Sequence, residues 1–344
     1  MTIFDLVTAL ELTAYWEEMT KDRAPYLGET LFPNDKKLGL DLKWLKGSRG
    51  LPVVLKLSAF DTKAVPRDRI GFDKVTAEMP FFKESLLIEE VLRQELNKVL
   101  ATGNQVYIDA VMNRVFADEV ALLEGAAAQR ERMRMMLLTT GTVAISSNGQ
   151  AYSYDYGLDN AQLKTAAVSW ATATTDIISE IRTWQDERED ATGVRPTRAI
   201  CSRKTWGYFT KNENIKKAIF VLSNGAGSLS DAKLKQYIMD ELDLEIVVYS
   251  KRFKNESGVA TAYVPDDTFV LLPSGQLGNT WFGTTPEESD LLGSSVANVT
   301  ITDMGVAVTT MKQADPVNVE TKVTMICLPS FEAADQIIIA DVIV

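Results

Sequence analysis

The sequence predicts an α+β protein with two subdomains, one inserted within the other. Helical spacing of apolar residues dominates from Glu84 to about Thr140, and helix and strand patterns alternate from Asn160 to about Gly275. The closing stretch, Val306 to Val344, is rich in strand patterns, and we expect it to complete a sheet that begins near Thr142. With 344 residues, of which 46% are hydrophobic, the chain can bury a sizeable core.

Composition narrows the classes of function. The 36 basic and 47 acidic residues give a net charge of -11, and no basic block appears, so free nucleic-acid binding is disfavoured. The chain has no histidine, which removes the commonest general base and the commonest zinc ligand. Cys201 and Cys327 lack metal-ligand spacing and are expected to be small buried residues in a reducing compartment. We therefore predict no metal and no cofactor.

The N-terminal segment predicts a short helix followed by an arm. Apolar residues recur at helical spacing at Ile3, Leu6, Val7, Leu10 and Ala14. No basic leader precedes them, and no apolar run reaches the ~20 residues that span a bilayer, so we expect a soluble cytoplasmic product. In the next segment, "KDRAPYLGETLFPNDKK", Pro25, Gly28 and Pro33 interrupt regular structure and predict an extended arm with few local contacts.

A long hairpin is predicted next. Its first strand, "LPVVLKLSAF", places an apolar stripe on one face, at Leu51, Val53, Leu55, Leu57 and Ala59. A polar tip follows with Lys63, Arg67 and Arg69, and the second strand is "FDKVTAEM". Because a two-stranded ribbon is marginal in water by itself, the stripe is expected to pack against another molecule.

A long helix is predicted to start at Gln105. Its pattern continues for ~34 residues, or ~50 Å at the rise of an α-helix, and is typical of a structural axis. Near its end, Arg130, Arg132 and Arg134 could contact phosphates, or could balance the charges of Glu124 and Glu131 and the helix dipole.

Turn signals organise the middle of the chain. Asn148-Gly149 predicts a tight hairpin, and a helix through "TDIISEIRTWQDERED" is expected to end at Gly193. Strand "TRAICS", a helix around Trp206 to Phe209, a helix from about Leu229 to Leu242 and strand "LEIVVYS" then predict a compact α/β subdomain.

The segment "AYVPDDTFVLLPSG" contains the most suggestive polar pair, Asp266 and Asp267. Two adjacent carboxylates could hold a cation, supply acid and base, or end a strand at a turn that begins with Pro265. Nothing else favours chemistry, because the glycine-rich stretch from Asn224 to Asp231 follows a helix rather than a strand, and no nucleophile elbow is present. The turn is the interpretation we favour.

Four segments, in this order, resemble motifs of one family. They are "LFPNDKKLGLDLKWLKG" (arm leading into an extended loop), "WGYFTKNENIKKAI" (a W-x-x-[FL] helix and a basic helix), "LEIVVYSKRFKNESGVATAYVPDDTFVLLPSGQLGNTWFG" (strand, hairpin, P-D-[ND]-T turn and strand) and "MICLPSFEAADQIIIADVIV" (last strands). The chain resembles the major capsid (head) proteins of lambda-type tailed bacteriophages, which have the Hong Kong 97 (HK97-like) capsid fold.

The resemblance implies a domain layout and a set of contacts between subunits. The layout has an N-terminal arm at 1–45, an extended loop at 46–80, a peripheral domain with a spine helix at 81–159, an axial domain at 160–300 and returning peripheral strands at 301–344. Contacts between subunits are expected at Phe32, Leu55, Leu57, Lys63, Arg67, Arg69, Asp266 and Asp267.

The implied function is a non-enzymatic icosahedral head shell that encloses double-stranded DNA. Partners would be copies of the chain in pentamers and hexamers, a separately encoded scaffold, a portal and, as an open option, a decoration protein, with no membrane. The subunit would assemble in the bacterial host cytoplasm and end in the virion. Alternatives are an encapsulin-like nanocompartment shell and a carboxylate-dependent hydrolase that uses Asp266 or Asp267.

Overall fold

The computed structural model describes residues 7–46, 73–88, 94, 97–99, 101, 104–220, 229–294, 296–314 and 317–344. The chain divides into two compact units. The first unit comprises Met1–Leu42, Thr76–Met133 and Asn279–Ser330, and the second comprises Lys43–Val75, Arg134–Gly278 and Phe331–Val344.

The helices and strands follow in chain order. The helices are α1 (Ala9–Thr20), α2 (Leu27–Leu31), α3 (Gln105–Thr140), α4 (Ile177–Thr192), α5 (Arg203–Lys211), α6 (Glu213–Ile219) and α7 (Asp231–Leu242), with a π-helical turn at Glu287–Leu291 and a 3-10 turn at Ala334–Gln336. The strands are β1 (Asn34–Lys36), β2 (Asp41–Lys46), β3 (Asp73–Glu78), β4 (Phe81–Ile88), β5 (Thr142–Ser147), β6 (Gln150–Asp155), β7 (Leu163–Thr165), β8 (Arg198–Cys201), β9 (Glu245–Val248), β10 (Arg252–Lys254), β11 (Ala260–Ala262), β12 (Thr268–Leu272), β13 (Thr280–Phe282), β14 (Ala297–Thr302), β15 (Val306–Ala314), β16 (Val317–Pro329) and β17 (Ile338–Asp341).

The first unit is built on a six-stranded sheet with the order β1-β13-β16-β15-β14, in which β4 also pairs with β16. The long strand β16 is central, because it pairs with β15 from Val306↔Met325 to Ala314↔Val317 and with β4 from Val319↔Ile88 to Ile326↔Phe81. The residues of β16 from Val323 to Leu328 are all buried, so this part of the strand is covered on both faces.

Strand β4 contradicts the predicted helical start at Glu84, which lies in the middle of this strand. The error has a physical reason, since β4 is fixed by pairing with β16, more than two hundred residues away in the chain. The long helix itself is confirmed, because α3 spans Gln105–Thr140.

The N-terminal segment also differs from its prediction in two ways. Helix α1 exists, but it buries Ala9, Leu12, Thr13 and Trp16, while Leu10 is 66% exposed. The expected arm with few local contacts is wrong as well, since it contains α2 and β1, and β1 pairs in parallel with β13 at Asn34↔Thr280.

Arg130, near the end of α3, has a different partner from those expected. Arg130 pairs with Asp303 at 2.6 Å and stacks over the Phe282 ring, rather than offsetting the helix acids. Glu131 is fully buried and accepts a hydrogen bond from the Gly28 backbone N–H at 3.1 Å. These side chains therefore stabilise the first unit internally.

The second unit has a five-stranded sheet with the order β7-β17-β12-β8-β9. Its core contains an aromatic cluster in which Trp170 contacts Trp184, Phe209 and Phe269. Cys201 is fully buried in this core, and burial raises the pKa of its thiol to about 12. Cys327 is fully buried in the first unit, so burial of both cysteines is confirmed.

The end of the chain does not complete one sheet near Thr142, as we had expected. Strands β15 and β16 belong to the six-stranded sheet, whereas β17 lies between β12 and β7 in the five-stranded sheet. The hairpin β5-β6 is a separate two-stranded sheet, and its turn is confirmed by positive φ angles at Asn148 (51°) and Gly149 (73°).

Strand β3 confirms the second strand of the predicted long hairpin. In the described part of the chain it pairs with β2, in a two-stranded sheet. The expected first strand, with Leu55 and Leu57, lies outside the described residues.

Candidate assembly surface

The turn that contains Asp267 is held by two side chains of α5. Lys204 Nζ and Tyr208 Oη each donate a hydrogen bond to the Asp267 carboxylate, both at 2.6 Å. The Asp267 carbonyl accepts a hydrogen bond from the Val342 N–H at 2.9 Å. Asp267 has a φ of 66°, which aspartate tolerates better than most residues. Local turn geometry and contacts with α5 and Val342 thus fix this residue.

The electrostatics of Asp267 favour a structural role over chemistry. Burial alone would raise its pKa, but the hydrogen bonds from Lys204 and Tyr208 and the Lys204 charge lower it below the ordinary value. A carboxylate that stays ionised and uses both oxygens on neighbouring side chains is a poor general acid. In the part of the chain that the structure describes, no group of three or more acidic or cysteine side chains converges as a metal site. The turn interpretation of Asp266 and Asp267 therefore agrees with the geometry.

The other predicted contact residues fall into two groups. Phe32 is fully buried within its own chain, where Thr280 Oγ1 donates to its carbonyl at 3.0 Å. Its contact with a neighbouring subunit remains a prediction. The remaining residues of the predicted set, Leu55, Leu57, Lys63, Arg67 and Arg69, lie outside the described residues.

Strand β4 carries an apolar surface that the sequence analysis did not identify. Phe81 and Leu87 lie on one face of β4 and are 46% and 51% exposed, whereas Leu86, on the opposite face, is 39% exposed. Leu40 is also exposed, and its carbonyl accepts a hydrogen bond from the Met79 N–H at 3.0 Å, two residues before β4 begins. We name Phe81 and Leu87, which share a face, the β4 surface.

The backbone of β4 adds a second property to this surface. One edge of β4 pairs with β16 along its whole length, and no described strand pairs with the other edge. An uncovered edge strand offers unpaired N–H and C=O groups to another chain, and exposed apolar side chains favour such contacts. The arrangement is therefore suited to association with a further polypeptide.

A sequence signal for β4 was present but ambiguous. The segment "FFKESLLI" directly follows Pro80, and its apolar residues are grouped at both ends. Such a short run fits either a strand or the first turns of a helix, and only the distant partner β16 distinguishes them.

The described residues contain no helix long and apolar enough to cross a membrane.

In the described residues, a long helix packs on the six-stranded sheet, β4 has one edge without a strand partner, and Asp267 is held in its turn by two side chains. The chain belongs to the family of phage major capsid protein E, whose model matches residues 8–342. It is accordingly a major capsid protein of the virion, with the HK97-like fold.

Solved structures agree on the fold. The candidate capsid protein of a prophage from E. coli CFT073 is similar over 98% of this chain and 99% of its own, with a TM-score of 0.61 at 13% identity. A phage-related protein from Bordetella bronchiseptica RB50 matches with a TM-score of 0.57 at 13% identity, over 96% of each chain. The cyanophage A-1(L) capsid matches with a TM-score of 0.50 at 12% identity, over 93% of this chain and 92% of its own. A search of curated proteins finds no match.

Proposed function

We propose that this capsid protein assembles as pentamers and hexamers into the icosahedral head of a tailed phage, around double-stranded DNA. The family match across residues 8–342 is the observation that carries the proposal. The proposed roles of the segments are those implied by the resemblance: arm 1–45, extended loop 46–80, peripheral domain 81–159 and 301–344, and axial domain 160–300.

The β4 surface supplies a physical basis for association. Apolar area removed from water contributes roughly 25 cal/mol per Å², so even a small contact at Phe81 and Leu87 favours a neighbour. Heterologous contacts of this kind close into rings, and many weak contacts together give a stable shell. Contacts at Lys63, Arg67, Arg69, Leu55 and Leu57 belong to the same proposal.

The proposed partners of the subunit follow from its negative net charge and from what DNA packaging requires. The net charge of -11 disfavours tight binding to packaged phosphates, so we propose that the subunit encloses DNA without reading its sequence. A separately encoded scaffold and a portal would complete assembly in the bacterial cytoplasm. No catalytic role is proposed, because Asp267 is held in its turn by Lys204 and Tyr208.

The family match favours this function over an encapsulin-like compartment. A phage head and an encapsulin-like compartment can also be distinguished by the proteins that accompany the shell. A phage head requires a scaffold and a portal, whereas a compartment requires a cargo enzyme. A hydrolase would instead lose turnover in Asp267→Asn while its assembly stayed intact.

Deletion of residues 60–72 tests the proposal. We expect the shortened subunit to give the circular dichroism spectrum and cooperative melting of a folded protein, yet to form no shells by negative-stain electron microscopy. Wild-type protein expressed with the scaffold is the control. Normal shells from the deleted subunit would show that the assignment of the extended loop to assembly is wrong.

A further inference from the structure

Glu119 is an acidic residue within an apolar stripe of α3. Val115, Glu119 and Leu122 lie at helical spacing on one face of the helix and are 5%, 2% and 7% exposed. Val115 belongs to a core cluster that also includes Val319 of β16 and Ile88 of β4. Glu119 therefore lies in the layer where the long helix packs on the six-stranded sheet.

A single described hydrogen bond reaches the Glu119 carboxyl group. Thr321 Oγ1 donates to Glu119 Oε1 at 3.0 Å, from the buried face of β16. The second oxygen, Oε2, is buried and has no hydrogen-bond partner among the described residues. An ionised carboxylate in this place would lack the partners that normally compensate for burial.

The charged groups around Glu119 do not supply a described counter-ion. On α3 itself, the neighbouring Asp118 carries the same sign of charge. On β16, Lys322 alternates to the other side of the strand from Thr321 and pairs with Glu287 at 2.6 Å. On β4, the nearby charge that faces α3 is another acid, Glu84, whose Oε2 would lie 3.8 Å from a Cβ added at Gly125.

We propose that Glu119 makes the packing of α3 on β16 depend on proton binding: the neutral carboxyl group is accommodated in the apolar layer, and its ionisation weakens the contact between helix and sheet. This is a property of the folded subunit, so it goes beyond shell formation and can be measured without assembly.

The expected direction of the pH dependence follows from linkage. Burial raises the pKa of Glu119 to about 7, with the Thr321 hydrogen bond opposing the shift and Asp118 adding to it. Because the folded value lies above the ordinary 4.5, the stabilisation is complete below pH 4.5 and is lost as the pH rises through about 7. This group therefore makes the subunit less stable in mildly alkaline than in mildly acidic solution.

Urea unfolding of the full-length subunit at about pH 5 and about pH 8 tests the proposal, with Glu119→Gln compared with wild type. We expect the fall in the folding equilibrium constant between the two pH values to be roughly 10- to 100-fold smaller in the variant. Glu124→Gln is the matched control, because Glu124 lies on the same helix, its side chain is 53% exposed, and its described ion pair with Arg23 is long at 3.5 Å. This control should keep the wild-type pH dependence.

A direct readout keeps the test decisive if Glu119→Gln folds poorly. Difference infrared spectroscopy of the wild-type protein should show a protonated carboxyl band that disappears with a midpoint near pH 7, and Thr321→Val should move that midpoint upward. The proposal is overturned if no buried carboxyl group titrates near neutral pH in the wild-type protein. It is equally overturned if a folded Glu119→Gln variant keeps the full wild-type pH dependence.

Discussion

The Lys322 ammonium on β16 lies 2.6 Å from a carboxylate oxygen of Glu287 at the start of the π-helical turn, and both side chains are largely buried. Thr324 Oγ1 donates to the other oxygen of Glu287 at 3.0 Å. The next residue, Glu288, pairs with Lys36 of β1. Two adjacent acids of one turn thus connect the first strand of the arm to the longest strand of the sheet.

Removing one partner of the buried pair should cost more than removing one partner of an exposed pair. Lys322→Met leaves Glu287 buried without its cation and should lower the free energy of unfolding by about 3 kcal/mol. Arg182→Met breaks the Arg182–Glu241 pair, in which both side chains are 44% exposed, and should cost less than about 1 kcal/mol. Urea denaturation at neutral pH measures both values, and equal losses would contradict the assigned role of Lys322.

Glu287 should give a pH dependence opposite in sign to that of Glu119. Burial alone would raise the pKa of Glu287, but the hydrogen bonds from Lys322, its own backbone and Thr324, together with the Lys322 charge, lower it below 4.5. Its stabilisation is therefore present above pH 4.5 and is lost as the pH falls through the lowered value. Glu287→Gln should lose less stability than wild type as the pH falls below 4.5, as measured by thermal melting across an acid series. If the stability of Glu287→Gln fell with acidification as steeply as that of wild type, Glu287 would not be the source of this pH dependence.

Gly305 should tolerate no side chain. A Cβ added there would lie 2.4 Å from Cβ and 2.5 Å from Cγ of the buried Phe282, so Gly305→Ala should lower the melting temperature by several degrees. Gly207 in α5 is the matched control, because an added Cβ meets nothing within 4 Å. Gly207→Ala should leave the melting temperature unchanged or raise it, since alanine favours a helix by roughly 0.5–1 kcal/mol over glycine. A harmless Gly305→Ala would show that Phe282 moves more freely than its packing indicates.

The Asp267 turn should be sensitive to backbone conformation as well as to charge. Asp267→Asn keeps a residue that tolerates the positive φ of 66° but loses the charge facing Lys204, so we expect a loss of about 1 kcal/mol. Asp267→Ala should cost more, because alanine pays roughly 1 kcal/mol for the left-handed conformation in addition. Thermal melting of both variants, with Asp266→Asn as the exposed control, measures the order. Equal values for all three would contradict the contacts with Lys204 and Tyr208.

The β4 surface should matter for assembly and little for folding. Leu87→Lys replaces a side chain that is 51% exposed, so the free energy of unfolding should change by no more than about 0.5 kcal/mol. Shell yield in sedimentation should fall strongly, because a charge would be buried at the contact. Leu10→Lys makes the same change on α1, at a residue that is 66% exposed, and should assemble normally. Equal yields from the two variants would remove β4 from the interface.

Features set by local sequence could be predicted, whereas two strands fixed by distant pairing were missed. The period of α3, the Asn148–Gly149 turn and the end of α4 at Gly193 are encoded within a few residues each, and the structure confirms them. Strands β1 and β4 were missed because their partners β13 and β16 are more than two hundred residues away.

In the candidate site, too, some features were predictable from local sequence and others depend on packing between distant elements. The turn at Asp267 follows from its own sequence, whereas the contacts of Lys204 and Tyr208 with it depend on how α5 packs. The face of α1 was predicted wrongly because its apolar residues exceed one stripe, and only packing decides that Leu12 and Trp16 are buried while Leu10 is exposed.

Electron microscopy of the purified wild-type protein, alone and with its scaffold, tests the central claim most directly. The chain should form rings of five or six subunits by itself and closed shells when the scaffold is present. A protein that stays strictly monomeric at high concentration under both conditions would contradict the claim that its exposed apolar strand is made to be covered by another copy.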